Sequence, residues 1–196
     1  MLQFVDFLLQ SVYRPKAIPS SYIEEAFKKT VADVQYHYSD LRPVEIAHRI
    51  QANQNELAVF LFRLGCVLHE RAEDSLIPQV HSLLKRFCGC EIYFNNKIDV
   101  GFYVVHGEGA VLGSRNRIEK GFKIHQGCTI GHNQNGGGAG STIGNDVVMY
   151  ANSSLIGELH VGDRVVIGAH VLFTADLAED SIVLADAKTR IKERRY

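Results

Sequence analysis

Between residues 91 and 173 an apolar residue returns at every sixth position, and few architectures tolerate that period. The series runs Ile92, Ile98 and Val104, slips by two residues, and resumes at Leu112, Ile118, Ile124 and Ile130. After a glycine-rich interruption it continues through Ile143, Met149, Leu155, Val161, Ile167 and Phe173. Six matches neither the 3.6-residue period of a helix nor the alternation of a simple strand. It fits a hexapeptide β-helix, in which each unit is one short strand and one corner. Three units then close one coil of a triangular prism with the repeated residue pointing inward. Gly113, Gly131, Gly144, Gly162 and Gly168 each follow a repeat residue, where a corner calls for something small or free in φ.

The remaining composition narrows the class. The 196 residues are 46% hydrophobic and 22% charged, with formal net charge −1, so no general attraction to nucleic acid or membrane surface is expected. The opening MLQFVDFLLQ has neither a basic segment nor a small-residue cleavage site, and a signal peptide is not expected. Of the four cysteines (66, 88, 90 and 128) only Cys88 and Cys90 are close, a weak metal or disulfide signal. Free thiols in a reducing cytoplasm are the expectation.

Ahead of the repeat the chain reads as helical. Leu2, Val5, Leu8, Leu9 and Val12 share a helix face until Pro15 and Pro19. Ser20 or Ser21 is placed to cap a second helix with Glu24 and Glu25 in its first turn, where the helix dipole favours them. A third helix follows Pro43. The fourth, over 56–69, is apolar on nearly all sides and calls for burial in its own domain or against another subunit. Ser75 is placed to cap a fifth, which carries Pro78 in its first turn and closes at Gly89. The expected division is a helical domain over 1–89, a hexapeptide domain over 90–184 and a tail over 185–196, an α+β chain with no linker between its halves.

This order resembles the serine O-acetyltransferases, and particular phrases carry the likeness. Val105-His106-Gly107-Glu108-Gly109 stands where that family has Asp-His-Gly-Thr-Gly or Asp-His-Ala-Thr-Gly. Gln126-Gly127-Cys128-Thr129-Ile130-Gly131 is similar to its Gln-Gly/Ser-Val-Thr-Leu-Gly. Tyr150-Ala151-Asn152-Ser153-Ser154-Leu155-Ile156-Gly157 is similar to its Tyr-Ala-Asn-Ala-Thr-Ile-Leu-Gly. The resemblance implies a left-handed prism, acetyl-CoA as acyl donor, no metal, and a homotrimer or dimer of trimers acting on a small hydroxyl acceptor.

Acyl transfer from a thioester to a hydroxyl needs a base for the hydroxyl proton and donors for the oxyanion. His106, in a glycine-rich turn, is the candidate base. Glu91 lies 15 residues earlier, close enough to one coil to stack beside it on the same face, and the resemblance makes it the carboxylate that steadies the imidazolium. The resemblance further assigns acceptor contacts to Asp40, to the residue before the histidine and to the turn, here Val105 and Gly107. It also expects an Arg-His pair at the end of the loop, where this chain has Ala139 and Gly140. Val, Ala and Gly thus replace charged grips and put the acceptor's identity in question. Gly131, His132, Ala151, Gly168 and Ala169 are at or beside the positions that face coenzyme A, and the basic tail (Lys188, Arg190, Lys192, Arg194, Arg195) is a candidate contact for its 3′-phosphate.

Two other classes compete. A zinc hydrolase built on a hexapeptide prism uses three histidines with two of them five residues apart, whereas His125 and His132 are seven apart. A non-catalytic scaffold fits the missing grips but not the retained histidine and carboxylate. Within acyl transfer, a sugar, antibiotic or biosynthetic intermediate stands beside serine as acceptor.

Overall fold

The computed structural model describes residues 1–133 and 138–186. Five helices come first: α1 (Leu2–Leu9), α2 (Ser20–His37), α3 (Pro43–Ala52), α4 (Gln54–Glu70) and α5 (Ile77–Cys88). Among the described residues, fourteen short strands follow and build three parallel sheets, the three faces of a prism. The first sheet stacks β1 (Glu91–Ile92), β4 (Val111–Leu112), β7 (Thr129–Gly131), β10 (Ser154–Ile156) and β13 (Leu172–Phe173). The second stacks β2 (Lys97–Ile98), β5 (Arg117–Ile118), β8 (Thr142–Ile143) and β11 (His160–Val161). The third stacks β3 (Tyr103–Val105), β6 (Lys123–His125), β9 (Val148–Met149), β12 (Val166–Ile167) and β14 (Ile182–Val183).

The six-residue series is the prism's core. Every member from Ile92 to Ile167 is buried, and only Phe173, in the last coil, is half-buried. Removing these aliphatic side chains from water is worth roughly 1.5–3 kcal/mol each. The glycines that follow the repeat residues are needed for space rather than for conformation. None of Gly113, Gly131, Gly144, Gly162 or Gly168 has a left-handed φ. A Cβ on Gly162 would sit 2.4 Å from the Glu179 nitrogen, and one on Gly144 would sit 2.8 Å from the Asp163 nitrogen, in the next coil. The left-handed corners fall elsewhere, in stacked columns such as Gly109, Gly127, Asn152 and His170.

Helix boundaries follow the sequence except at the caps. Pro19, not a serine, precedes α2, and Leu76, not Ser75, precedes α5; neither gives a side-chain cap. Gly89 ends α5 with φ +64°, and β1 begins two residues later. α4 is the axis of the helical half, packed by α2, α3, α5 and β3. Its residues 57–68 are all buried within this one chain. Of the two expected ways to bury this helix, its own chain supplies the cover.

A buried ion pair joins the two halves. Arg63 of α4 donates to both oxygens of Asp33 of α2 (2.7 and 2.6 Å) and to the carbonyls of Ile98 and Asp99. Asp33 also accepts from the backbone N–H groups of Gly101 and Phe102, at 2.9 and 3.2 Å. Burial acts to raise the Asp33 carboxyl pKa and to lower that of Arg63. Asp33 nevertheless holds Arg63 above its ordinary value, while the four donors offset only part of the effect of burial on Asp33, whose carboxyl stays above its ordinary value. Phe62 against Phe102, ring centroids 5.4 Å apart, adds an apolar contact beside the pair.

Removing one partner strands the other in the interior. Asp33→Ala should therefore destabilise the fold by about 3–5 kcal/mol in urea denaturation. A loss of under about 1 kcal/mol would show that the pair does not hold the halves together.

Candidate active site

The two-residue slip in the repeat is a local insertion that can be placed to the residue. Val105 is in register with His125, 20 positions on, while Val111 is in register with Thr129, 18 on. The Gly127 N–H bonds the Glu108 carbonyl, so the 18-residue spacing is already restored there. The surplus pair is His106 and Gly107. They bulge from the corner between the third and first sheets. His106 has φ +54°, a conformation that a non-glycine residue adopts at a cost. Its N–H donates to Oδ1 of Asn55, 3.1 Å away in the first turn of α4. The helical half thus holds the bulge, and the His106 side chain is exposed. Gly107 is buried, and a Cβ there would lie 2.7 Å from Cγ1 of Val104. Among the described residues, no acceptor takes the N–H of Gly107 or of Glu108.

Glu91 does not stack on His106. Its partner in the next coil is Val111, on the first sheet, whereas His106 follows a strand of the third. The expectation of a shared face is corrected by the insertion, which makes this coil 20 residues long rather than 18. The Glu91 carboxylate binds Lys85 Nζ at 2.8 Å and lies 3.5 Å from His81 Nε2. It does flank the same corner as His106, because the Gly109 N–H bonds the Gly89 carbonyl.

Val105 is half-buried on the outer face of β3 beside His125. The His125 ring lies over Tyr150, with centroids 4.8 Å apart. Burial, with a smaller contribution from His106, holds the His125 pKa below its ordinary value. Asp40 is exposed in the turn after α2, two residues beyond Tyr38, whose hydroxyl is 3.0 Å from that of Tyr103.

The coenzyme residues divide into two groups. Ala151 and Ala169 stand in the column that carries Glu108 and Gln126: the Asn152 N–H bonds the Gln126 carbonyl, and the His170 N–H bonds the Ala151 carbonyl. Gly168 adjoins them, with room for no Cβ against the Val183 carbonyl at 2.9 Å. The column climbs from the His106 bulge over three coil steps, about 14 Å, and its small residues occupy the two upper coils. Gly131 and His132 lie at the other edge of the first sheet. There His132 Nε2 is 2.9 Å from the Ser114 carbonyl, while its buried Nδ1 has no partner among the described residues.

Gly140 leaves no room for the side chain that the resemblance expects, since a Cβ would come within 2.2 Å of the Arg115 carbonyl oxygen. Residues 134–137 and the basic tail from 187 lie outside the described residues. Among the described residues, no group of three or more His, Cys, Asp or Glu converges as a metal site. All four cysteines are buried free thiols.

Sequence reasoning missed Asn55, Glu56, Arg49 and Tyr103 around the bulge. Arg49 donates twice to the buried Glu56 Oε1, and its guanidinium lies 5.1 Å from the Tyr38 ring centre. Tyr103 is pushed up to about 12, first by burial, then by Tyr38 and the Glu56 charge. For Asn55 and Glu56 the cue in the sequence is the polar run Asn53-Gln54-Asn55-Glu56 ahead of the apolar stretch at 57–68.

No protein-family model matches the chain. It is similar to a serine acetyltransferase of Helicobacter pylori (strain J99), with 34% identity over 139 residues, 70% of this chain and 81% of the relative. A serine acetyltransferase of Bacillus licheniformis is 27% identical over 65% of this chain and 59% of its own length. Among solved structures, serine acetyltransferase isoform 3 of Entamoeba histolytica in complex with cysteine superposes with TM-score 0.71 at 21% identity, over 88% of this chain and 62% of that one. The Neisseria gonorrhoeae serine acetyltransferase in complex with serine gives 0.71 at 19%, over 95% and 73%. A serine acetyltransferase in complex with CoA gives 0.67 at 20%, over 92% and 70%. The structural likenesses establish the fold.

The depressed His125 pKa has a signed consequence. The folded chain disfavours the imidazolium, so as pH falls below about 6.5 the unfolded chain takes up the proton first and stability declines. NMR titration should place His125 below its unfolded value, and His106→Ala should move it part of the way back. No movement would show that the two rings do not interact.

Proposed function

This chain belongs to the serine acetyltransferase family of acyltransferases, and on that footing we propose that it moves an acetyl group from acetyl-CoA to the hydroxyl of L-serine. One observation carries the reading most: the two residues inserted into the coil are the candidate base and the glycine that lets it protrude. A histidine in an ordinary corner of a coil would not need an insertion.

In the mechanism we propose, His106 takes the acceptor hydroxyl proton while that oxygen attacks the thioester carbonyl carbon. The N–H groups of Gly107 and Glu108 stand free to receive the developing oxyanion. Collapse of the tetrahedral intermediate breaks the carbon–sulfur bond, and the coenzyme A thiolate takes its proton from the His106 imidazolium. Glu91 supplies negative charge near the imidazolium; to touch it, Glu91 must first release Lys85 and His81. The track of Ala151, Gly168 and Ala169 lets the donor's extended arm lie close to backbone, with Gly131 and His132 contributed across a subunit boundary. Asp40, Val105 and Gly107 border the acceptor.

We further propose a homotrimer. The outer face of the first sheet exposes Val111 and, at 68%, Leu172, apolar groups that a neighbouring prism would cover. A reducing cytoplasm suits the four unpaired thiols. Among the described residues no helix is long and apolar enough to cross a membrane. Val105 and the closed space at Gly140 favour a second reading of the acceptor, a hydroxyl compound without an amino-acid head group.

The test is thiol release from acetyl-CoA with and without L-serine. Serine-dependent release is expected, and His106→Ala should lower it by about 10²–10⁴-fold while acetyl-CoA affinity stays unchanged. Release from another alcohol but not from serine would establish the second reading. Unimpaired turnover in the variant would remove His106 from the chemistry.

A further inference from the structure

With Val105 where a carboxylate is expected, the acceptor's ammonium group keeps only the exposed Asp40 as an acidic neighbour, and the helical half holds a second carboxylate, Glu56, with an unused oxygen, next in the chain to the residue that holds the bulge. Glu56 sits in the first turn of α4, next to Asn55, whose side chain holds the His106 N–H. Its side chain is 3% exposed. A guanidinium usually spreads its two N–H donors over both oxygens of a carboxylate. Here the Nε and one Nη of Arg49 both go to Oε1, the Nε at 2.8 Å. Oε2 is buried and has no hydrogen-bond partner among the described residues. Buried charged oxygens are rarely left so unless something else binds them.

We infer that Glu56 holds the ammonium group of the amino-acid acceptor through Oε2, in place of the carboxylate that Val105 cannot supply. The inference rests on the serine reading above. An acceptor whose hydroxyl meets His106 carries its ammonium only a few bonds away, and Asn55, the residue before Glu56, takes the His106 N–H at 3.1 Å. Arg49, 36% exposed and lying over the Tyr38 ring, fixes Oε1 and leaves Oε2 without a donor among the described residues. The hydroxyls of Tyr38 and Tyr103, 3.0 Å apart, form the adjoining wall on β3. A purely structural Arg49–Glu56 pair would not need one oxygen left bare.

The test compares L-serine with 3-hydroxypropionate, which is serine without the amino group, in the wild-type enzyme and in Glu56→Gln. The wild type should prefer serine. Glu56→Gln should raise the serine KM at least tenfold, leave the acetyl-CoA KM unchanged and erase the preference over 3-hydroxypropionate. If Glu56→Gln fails to fold, as judged by circular dichroism, Glu56→Asp carries the test, and there the preference should shrink with the acetyl-CoA KM intact. A folded variant that keeps the full preference overturns the role of Glu56 and leaves the serine reading standing. A wild type with no serine-dependent turnover overturns both.

Discussion

Everything in this molecule depends on one packing constraint: an apolar side chain must enter the prism at every sixth position, and each coil must sit in register on the one before. Parallel coils share one ladder of backbone hydrogen bonds per face, so a residue added within a strand would turn the following side chains to the wrong side. Extra residues are tolerated at corners, where the strand has ended. The chain uses that freedom twice. The insertion between β7 and β8 makes the loop that begins at His132. The insertion between β3 and β4 is only His106 and Gly107, and it sets the candidate base out from the corner.

The helical half gives that bulge a fixed backdrop. Arg63 and Asp33 clamp α4 and α2 to the corner at 98–102, and Asn55 reaches from the same α4 to the N–H of His106. Because α4 is buried along nearly its whole length, its first turn is a firm place from which to hold a strained residue. The aromatic groups Tyr38, Tyr103, His125 and Tyr150 line the outer face of the third sheet beside it. The site is therefore a joint product of both halves, and the absence of a linker between Gly89 and β1 has a functional sense.

The prism was legible in the sequence because the inward residues keep their period on either side of two corner insertions, and the helices because their apolar faces are continuous. The position of His106 was legible through the slip in that period and through the resemblance. What escaped was contact between elements distant in sequence. No local pattern announces that Asn55 meets His106, 51 residues on, or that Arg49 takes only one oxygen of Glu56. The stacking of Glu91 on His106 was misjudged for a related reason. Their 15-residue spacing resembles a coil, but the coil there is 20 residues long, so the chain position that reads as a neighbour lies on another face. The serine caps were misplaced because Pro19 and Leu76 take the positions before α2 and α5.

The central claim is that the two-residue bulge, not merely a histidine at that corner, builds the site. Deleting residues 106 and 107 together with Glu108→His restores the 18-residue coil while keeping a histidine at the corner. Serine-dependent thiol release from acetyl-CoA in that variant is the most direct measurement. The account predicts a folded prism, judged by circular dichroism, with turnover reduced to the no-acceptor blank. Turnover near the wild-type rate would show that the corner histidine works without the bulge and would contradict the account.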